Sequence, residues 1–287
     1  FVFLLYIFLM IIWLASYPKS GNTLVRSMLS AYNFSNTGEF NFELLKNIKQ
    51  FPAKSLFENL GVDTSNKIEI VKNYVTAQEE INKRDGNSIR FLKTHSALHS
   101  INGYPFTNYK NSLGVIYIVR DPRKVVLSNA NHYQFALDES LKQLSSEAVI
   151  GEDILLTHIG TWSSNYNSWK EFKKLDRYLL IKYEDLISDK EKYFLIILKF
   201  IYKINNYKFI LDKKKFNQVL ETTSFEKMQQ SEKQNGFFES KVDENTKKKI
   251  PFFNLGPKND WKKILDDEIA DEISARFKPE MKELGYL

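Results

Sequence analysis

The chain has 287 residues, of which 43% are hydrophobic, 14% aromatic and 26% charged, a composition that supports a packed core and excludes a disordered or collagenous chain. It contains no cysteine, which excludes disulfides, thiolate metal sites, iron–sulfur clusters and cysteine nucleophiles. Lys and Arg outnumber Asp and Glu 41 to 35, and the net charge of +6 suits phosphate-rich ligands without selecting one.

In chain order, residues 1–15 come first and are apolar apart from the Tyr6 hydroxyl. This stretch is shorter than the ~20 residues that span a bilayer, and it lacks a positive flank and a clear cleavage site. Residues 1–10 therefore read as an extension, a truncated or mis-assigned start, ahead of one domain over 11–287. A signal anchor completed by upstream residues is the lesser alternative. A cytoplasmic protein without stable membrane insertion is expected.

Four short apolar runs read as strands buried on both faces: Ile11–Ser16, Ile89–Lys93, Val115–Val119 and Tyr178–Ile181. The first is followed by a helix over Thr23–Tyr32, the third by a helix from Pro122 to about His132. Long helices are expected over Asp153–Lys174 and Glu191–Lys203, and residues 34–66 read as an irregular insertion. Strand–turn–helix units in this number predict a single α/β domain, a central parallel sheet flanked by helices. Ligands of such sheets sit beyond the carboxyl ends of the strands, so the residues just after each strand carry the chemistry.

The first strand ends in Tyr17-Pro18-Lys19-Ser20-Gly21-Asn22-Thr23. Gly21 admits close backbone approach, the following helix offers free N–H groups to an anion, and Lys19 adds a point charge. The Walker spacing is absent, since the Lys precedes the Gly, so the alternative is a capped helix with a surface Lys. The second strand ends in Lys93-Thr94-His95, where His95 can accept a proton at neutral pH. His99 lies four residues on, but HSALH lacks the Glu of the helical zinc motif, and no other His or Cys is near in sequence, so no metal is expected. The third strand runs into Arg120-Asp121-Pro122, with Ser128 two turns along the next helix. Arg120 is either a phosphate fork or the partner of Asp121 or another acid.

These segments together resemble the sulfotransferases that use 3′-phosphoadenosine 5′-phosphosulfate (PAPS). SYPKSGNT resembles the family's 5′-phosphosulfate loop, Lys-Thr-His its catalytic segment, and Arg120 to Ser128 its 3′-phosphate motif. Four further stretches agree in order: Gly160-Thr161-Trp162 with Trp169, Tyr183-Glu184-Asp185-Leu186, Thr222-Thr223-Ser224-Phe225, and Gly256-Pro257-Lys258-Asn259-Asp260-Trp261. The resemblance covers roughly residues 11–265. It implies that His95 is the general base and that Lys19 and Lys93 assist at the transferred group. It implies that Lys19, Ser20, Gly21, Asn22, Thr23, Arg120, Ser128, Tyr183, Thr223, Ser224, Phe225 and Gly256 bind PAPS, without a metal. The implied reaction is in-line transfer of a sulfuryl group to a hydroxyl on a small molecule or glycan, with no nucleic-acid partner.

The chain also departs from the family. Leu24 stands where a Trp is usual, leaving Phe225 to compensate, and Asn254 and Leu255 stand where Arg and Lys usually clamp the 3′-phosphate. Lys258, Lys262 and Lys263 are the candidates to replace those cations. The dimer motif of the animal cytosolic members is absent, with Asp266-Asp267 at the corresponding pair, so that dimer is not inferred and the oligomeric state stays open. The rival functions are a P-loop-type kinase and a non-catalytic nucleotide-binding or scaffold relative that kept the fold.

Overall fold

The computed structural model describes residues 10–83, 90–147, 149–150, 157–243 and 246–287. Its centre is four parallel strands: β1 (Ile11–Ser16), β2 (Arg90–Thr94), β3 (Ser112–Val119) and β4 (Tyr178–Lys182). They lie in the order β2–β1–β3–β4. β1 pairs with β2 from Ile11 against Arg90 to Ala15 against Thr94, and with β3 up to Ser16 against Ile118. β3 pairs with β4 from Val115 against Tyr178 to Val119 against Lys182. All four carboxyl ends therefore open on one edge of the sheet. The expected strands are all present; Ile89, the expected start of the second, lies outside the described residues.

The uninterrupted apolar runs arise because both faces of the sheet are covered. Side chains alternate across a strand, so Ile11, Trp13 and Ala15 join Val115, Tyr117 and Val119 in one core, while Ile12 and Leu14 join Ile116, Ile118 and Ile181 in the other. The second face is covered by α1 (Asn22–Phe34), through Val25, Met28 and Leu29. A later helix, residues 190–204, adds Phe194, Ile197, Leu198 and Ile201 at helical spacing. On the first face Trp13 lies fully buried among Phe51, Phe106 and Trp169, and its indole N–H donates to Ser112 Oγ at 2.7 Å. Removing a ring from a core packed in this way costs about 3–5 kcal/mol.

Two expectations are corrected. The long helix over 153–174 is instead α3 (Trp162–Trp169) continued by a 3₁₀ turn, Lys170–Leu175; residues 153–156 lie outside the described set. Gly160, at φ 72, turns the chain out of helical geometry, and the Thr161 hydroxyl then caps α3 by accepting from the Ser164 N–H at 3.0 Å. Helix cannot run through that point. The stretch 34–66 is not a loose insertion. It forms a 3₁₀ segment, Phe42–Asn47, and a short helix, Lys54–Glu58, and it buries Phe42, Leu45, Ile48, Phe51 and Phe57. Its apolar residues are too irregularly spaced to show a helical period, yet they complete both cores. Trp169 likewise serves the core: it is fully buried, and its indole N–H donates to the Ser96 carbonyl at 3.0 Å.

Candidate active site

A cavity of about 650 Å³ opens at the carboxyl edge of the sheet. Residues following each of the four strands line it: Lys19 and Gly21 after β1, Lys93 and His95 at the end of β2, Arg120 after β3 and Tyr183 after β4. Four segments far apart in sequence thus converge because the parallel sheet delivers their ends to one place.

The turn after β1 is shaped to leave its amides free. Lys19 sits in the left-handed region at φ 64 and Gly21 at φ 100. Gly21 begins α1 without a side-chain cap, and a Cβ built there would lie 2.3 Å from Tyr183 Cδ2. Glycine is required twice over, by its backbone angle and by the ring pressed against it. Asn22 fastens the turn to the strand by donating to the Leu14 carbonyl at 2.9 Å and the Ser16 hydroxyl at 3.2 Å. Asn22 and Thr23 line the cavity. The Ser20 side chain does not; its hydroxyl is buried without a hydrogen-bond partner among the described residues.

His95 is oriented by the neighbouring strand. Its Nδ1 lies 2.9 Å from the Ser16 carbonyl oxygen and 3.3 Å from the Ser16 hydroxyl. A carbonyl only accepts, so Nδ1 carries the proton and Nε2 keeps its lone pair. From behind, Asn165 on α3 donates to the His95 carbonyl at 2.9 Å and the Ile159 carbonyl at 2.7 Å, while accepting from Tyr117 at 2.7 Å. Burial, and next the charge of Lys93, depress the imidazole pKa to about 3, so the ring is neutral across the physiological range. Burial also lowers Lys19 to about 7, helped by repulsion from Lys93 and Arg120. The Lys19 ammonium stands 4.1 Å from the centre of the Phe252 ring.

Among the described residues Arg120 makes no ion pair with Asp121. Asp121 instead caps α2 (Pro122–Tyr133) and holds Arg123 through Nε at 3.0 Å and a terminal nitrogen at 2.8 Å. Arg120 lies 4.5 Å above the Tyr183 ring and donates once, to the Lys19 carbonyl at 3.1 Å; its buried Nε has no partner among the described residues. Ser128 reaches the same cavity from α2.

Thr223, Ser224, Phe225 and Gly256 line the opposite wall. The Thr223 hydroxyl is spent on the Val219 carbonyl at 2.7 Å, and Ser224 caps the helix Phe225–Asn235. A Cβ on Gly256 would strike the Phe225 ring at 2.1 Å, so this glycine lets the closing loop lie on the aromatic. Asn254 and Leu255 do line the cavity, but Lys258, Lys262 and Lys263 do not. Lys263 pairs with Asp260 at 3.1 Å, and Trp261 packs on Arg123 at 4.0 Å, which holds the loop against α2. Besides Lys19, Lys93 and Arg120, the cations that line the cavity are Lys190 and Lys241.

Sequence reasoning missed Glu239. It reaches into the cradle and lies 2.5 Å from Arg26 and 3.5 Å from Lys93, and its other oxygen accepts from Thr23 at 3.5 Å. Burial alone would raise its pKa, but Lys93 and Arg26 outweigh that and hold it at about 2. Arg26 also donates to the carbonyls of Ile48 at 2.9 Å and Leu45 at 2.8 Å. An arginine in the buried span of α1 was the available signal, since it demands a carboxylate. His132, buried beside Phe252 and depressed to about 3 by burial and then by Lys19, is a second missed lining residue.

The fold brings these residues to one cavity at the carboxyl edge of the sheet, and comparison with known proteins names the family. Residues 11–285 match the model of the sulfotransferase domain, and the chain belongs to that family, which makes it a transferase. Sulfotransferase 1 family member D1 of Mus musculus is 26% identical over 257 residues, 88% of this chain and 76% of that protein. Sulfotransferase 1E1 of Homo sapiens is 23% identical over 273 residues, 94% of this chain and 83% of that protein. Among solved structures, mouse sulfotransferase SULT7A1 complexed with PAP superposes with a TM-score of 0.61 at 20% identity, covering 95% of this chain and 84% of that one. Retinol dehydratase in complex with retinol and PAP gives 0.58 at 17% identity over 95% and 81% of the two chains. Among the described residues, no helix is long and apolar enough to cross a membrane.

Replacing Glu239 with Gln leaves Arg26 and Lys93 buried without their counter-charge. We expect a loss of about 3 kcal/mol in urea unfolding, the lower end for breaking a buried pair, because Glu239 keeps a fifth of its side-chain surface. Pyrophosphate should then raise the melting temperature of the variant more than that of the wild type, since the released cations take the anion instead. Equal shifts in both proteins would count against this role for Glu239.

Proposed function

We propose that this chain transfers a sulfuryl group from PAPS to an acceptor hydroxyl, with His95 as the general base. The observation that carries the reading is His95, its Nδ1 proton committed to the Ser16 carbonyl and its other edge on the cavity wall beside Lys93. A neutral imidazole with a fixed tautomer can take a proton from a hydroxyl only at Nε2.

The binding surface fits the co-substrate. The free amides of the Lys19–Thr23 turn and the Lys19 ammonium suit the 5′-phosphosulfate. Arg120, with its unpartnered Nε, and Ser128 suit the 3′-phosphate. Tyr183, Phe225 and Leu24 offer the apolar surface for the adenine. When bound, PAPS supplies the activated sulfuryl group for in-line displacement. The protein's part is positioning and charge neutralisation: Lys19 and Lys93 face spread negative charge in a dehydrated cradle, where such contacts are strongest. An anion held between the two lysines also cancels the repulsion that depresses His95, so the base strengthens when the site is loaded.

The acceptor half of the wall includes His132, Tyr133, Ile159, Phe238 and Phe252. Of the 34–66 stretch only Gln50 reaches the cavity. Aromatic surface of this kind favours an apolar small-molecule alcohol or phenol over a glycan.

Three outcomes follow from these roles. Replacing His95 with Ala should cut kcat by ~10²–10⁴ with little change in PAP affinity, as loss of a general base does; turnover near the wild-type rate under saturating acceptor would remove His95 from the mechanism. Replacing Arg120 with Ala should weaken PAP by roughly ten- to a hundredfold, the worth of a charge-assisted bond, and weaken adenosine 5′-phosphate far less. Calorimetry with both ligands decides this, and equal losses would make Arg120 a scaffold residue. Finally, Lys19 at about 7 is mostly neutral at pH 8 and is charged once a phosphate binds. PAP binding at pH 8 should therefore take up about one proton, measured as the dependence of binding heat on buffer ionisation, and the uptake should vanish in Lys19→Met. Binding without proton exchange in the wild type would place the ammonium away from the ligand.

A further inference from the structure

A second cluster of ligating side chains lies outside the cavity. His99 follows β2 by five residues; His158 sits in a two-stranded ladder, where it pairs with Val149; Glu147 follows the helix Leu137–Ser145. One ligand atom from each lies within 4.8 Å of the other two. His158 Nε2 and Glu147 Oε2 are already 3.2 Å apart, and the two imidazole rings lie 5.5 Å apart between centroids. Tetrahedral zinc with bonds of about 2.0–2.2 Å to nitrogen and oxygen places neighbouring ligand atoms about 3.3 Å apart. One edge of that figure is present, and the His99 ligand atom lies within 4.8 Å of the other two.

Other features support a ligand here. The buried Nδ1 of His158 has no hydrogen-bond partner among the described residues, so this imidazole is held by polar contact only at its Glu147 edge. The Ser164 hydroxyl reaches Glu147 Oε1 at 3.4 Å, the kind of outer contact that orients a ligating carboxylate. Gly160 makes room: a Cβ there would lie 2.5 Å from Ser164 Oγ and 3.3 Å from Glu147 Oε2.

We propose that His99, Glu147 and His158 form a binding site for a divalent transition-metal ion of the zinc class, with a fourth position left to water. Two imidazoles and one carboxylate, with no thiolate in the chain, suit zinc or cobalt over calcium or magnesium. None of the three side chains lines the active-site cavity. Thr157 and Ile159 line the active-site cavity, and His158 between them projects to the other side of the extended segment. Its backbone carbonyl accepts from Ala97 N–H at 2.8 Å, two residues beyond His95. A metal ion here clips the segment after the catalytic strand to the cavity's side wall from behind. Beyond His95 no histidine lies near His99 along the chain, yet His158, 59 positions on, meets it in space.

The site can be tested on the full chain, stripped with chelator and titrated with Zn²⁺ alone, with Co²⁺ absorption reporting geometry. We expect one ion per chain, a tetrahedral cobalt spectrum, and a rise in melting temperature on binding. Glu147→Gln, at an exposed side chain that should not disturb folding, and His99→Gln should each weaken zinc at least ~10-fold, no less than loss of an outer-shell partner costs. His95→Gln and His132→Gln should leave the affinity unchanged. No saturable binding below about 0.1 mM, or binding undiminished in Glu147→Gln and His99→Gln, overturns the proposal.

Discussion

Positive charge held out of water is the constraint around which this molecule is arranged. Lys19, Lys93, Arg26 and Arg120 are drawn into or beside one cavity, and burial depresses both lysines from their ordinary range. Such groups are costly to a fold unless something opposes them. Glu239 opposes part of that charge, and aromatic faces at Phe252 and Tyr183 oppose another part. The parallel sheet makes this arrangement possible. Its two apolar faces supply the cohesion, and its carboxyl edge collects the charged ends in one spot.

How much of this was readable in advance depended on whether a feature is local. The strands announced themselves as apolar runs, because a strand buried on both faces has nowhere to put a polar residue; Ile11–Ser16 and Val115–Val119 needed no partner to be recognised. Lys19, Gly21, His95 and Arg120 were readable for a related reason, since each directly follows or ends a strand. Glu239 was not readable. It sits among Gly236, Phe237, Phe238 and Ser240, with no periodicity and no motif, and its meaning comes from Arg26, 213 positions earlier. The closing loop misled in the same way. Lys258, Lys262 and Lys263 are close to the site in sequence, yet the packing of Trp261 on Arg123 directs that segment along α2.

Helix boundaries showed the complementary weakness. The aromatic and polar residues from 162 to 175 carry a helical pattern, and nothing in periodicity reveals that Gly160 turns the chain just before them. That turn also sets the wall of the cavity, because Ile159 enters it, and Asn165 behind it holds the carbonyls of His95 and Ile159 together. One amide side chain thereby links the catalytic strand to the wall opposite, and the fold's irregular segment is as important to the site as its regular ones.

The left-handed turn at Lys19 has an evolutionary consequence. A non-glycine residue at φ 64 carries strain of order 1 kcal/mol, and this one also buries an ammonium group. A change to glycine at that single codon relieves both and leaves the sheet and the helix in place, at the loss of the Lys19–Phe252 contact. Selection for stability alone therefore pushes the lineage toward silence at its own active centre. On the role proposed for Lys19, its charge is kept at a cost in folding energy, and a relative that shed the lysine would be a well-folded, inert copy of this one.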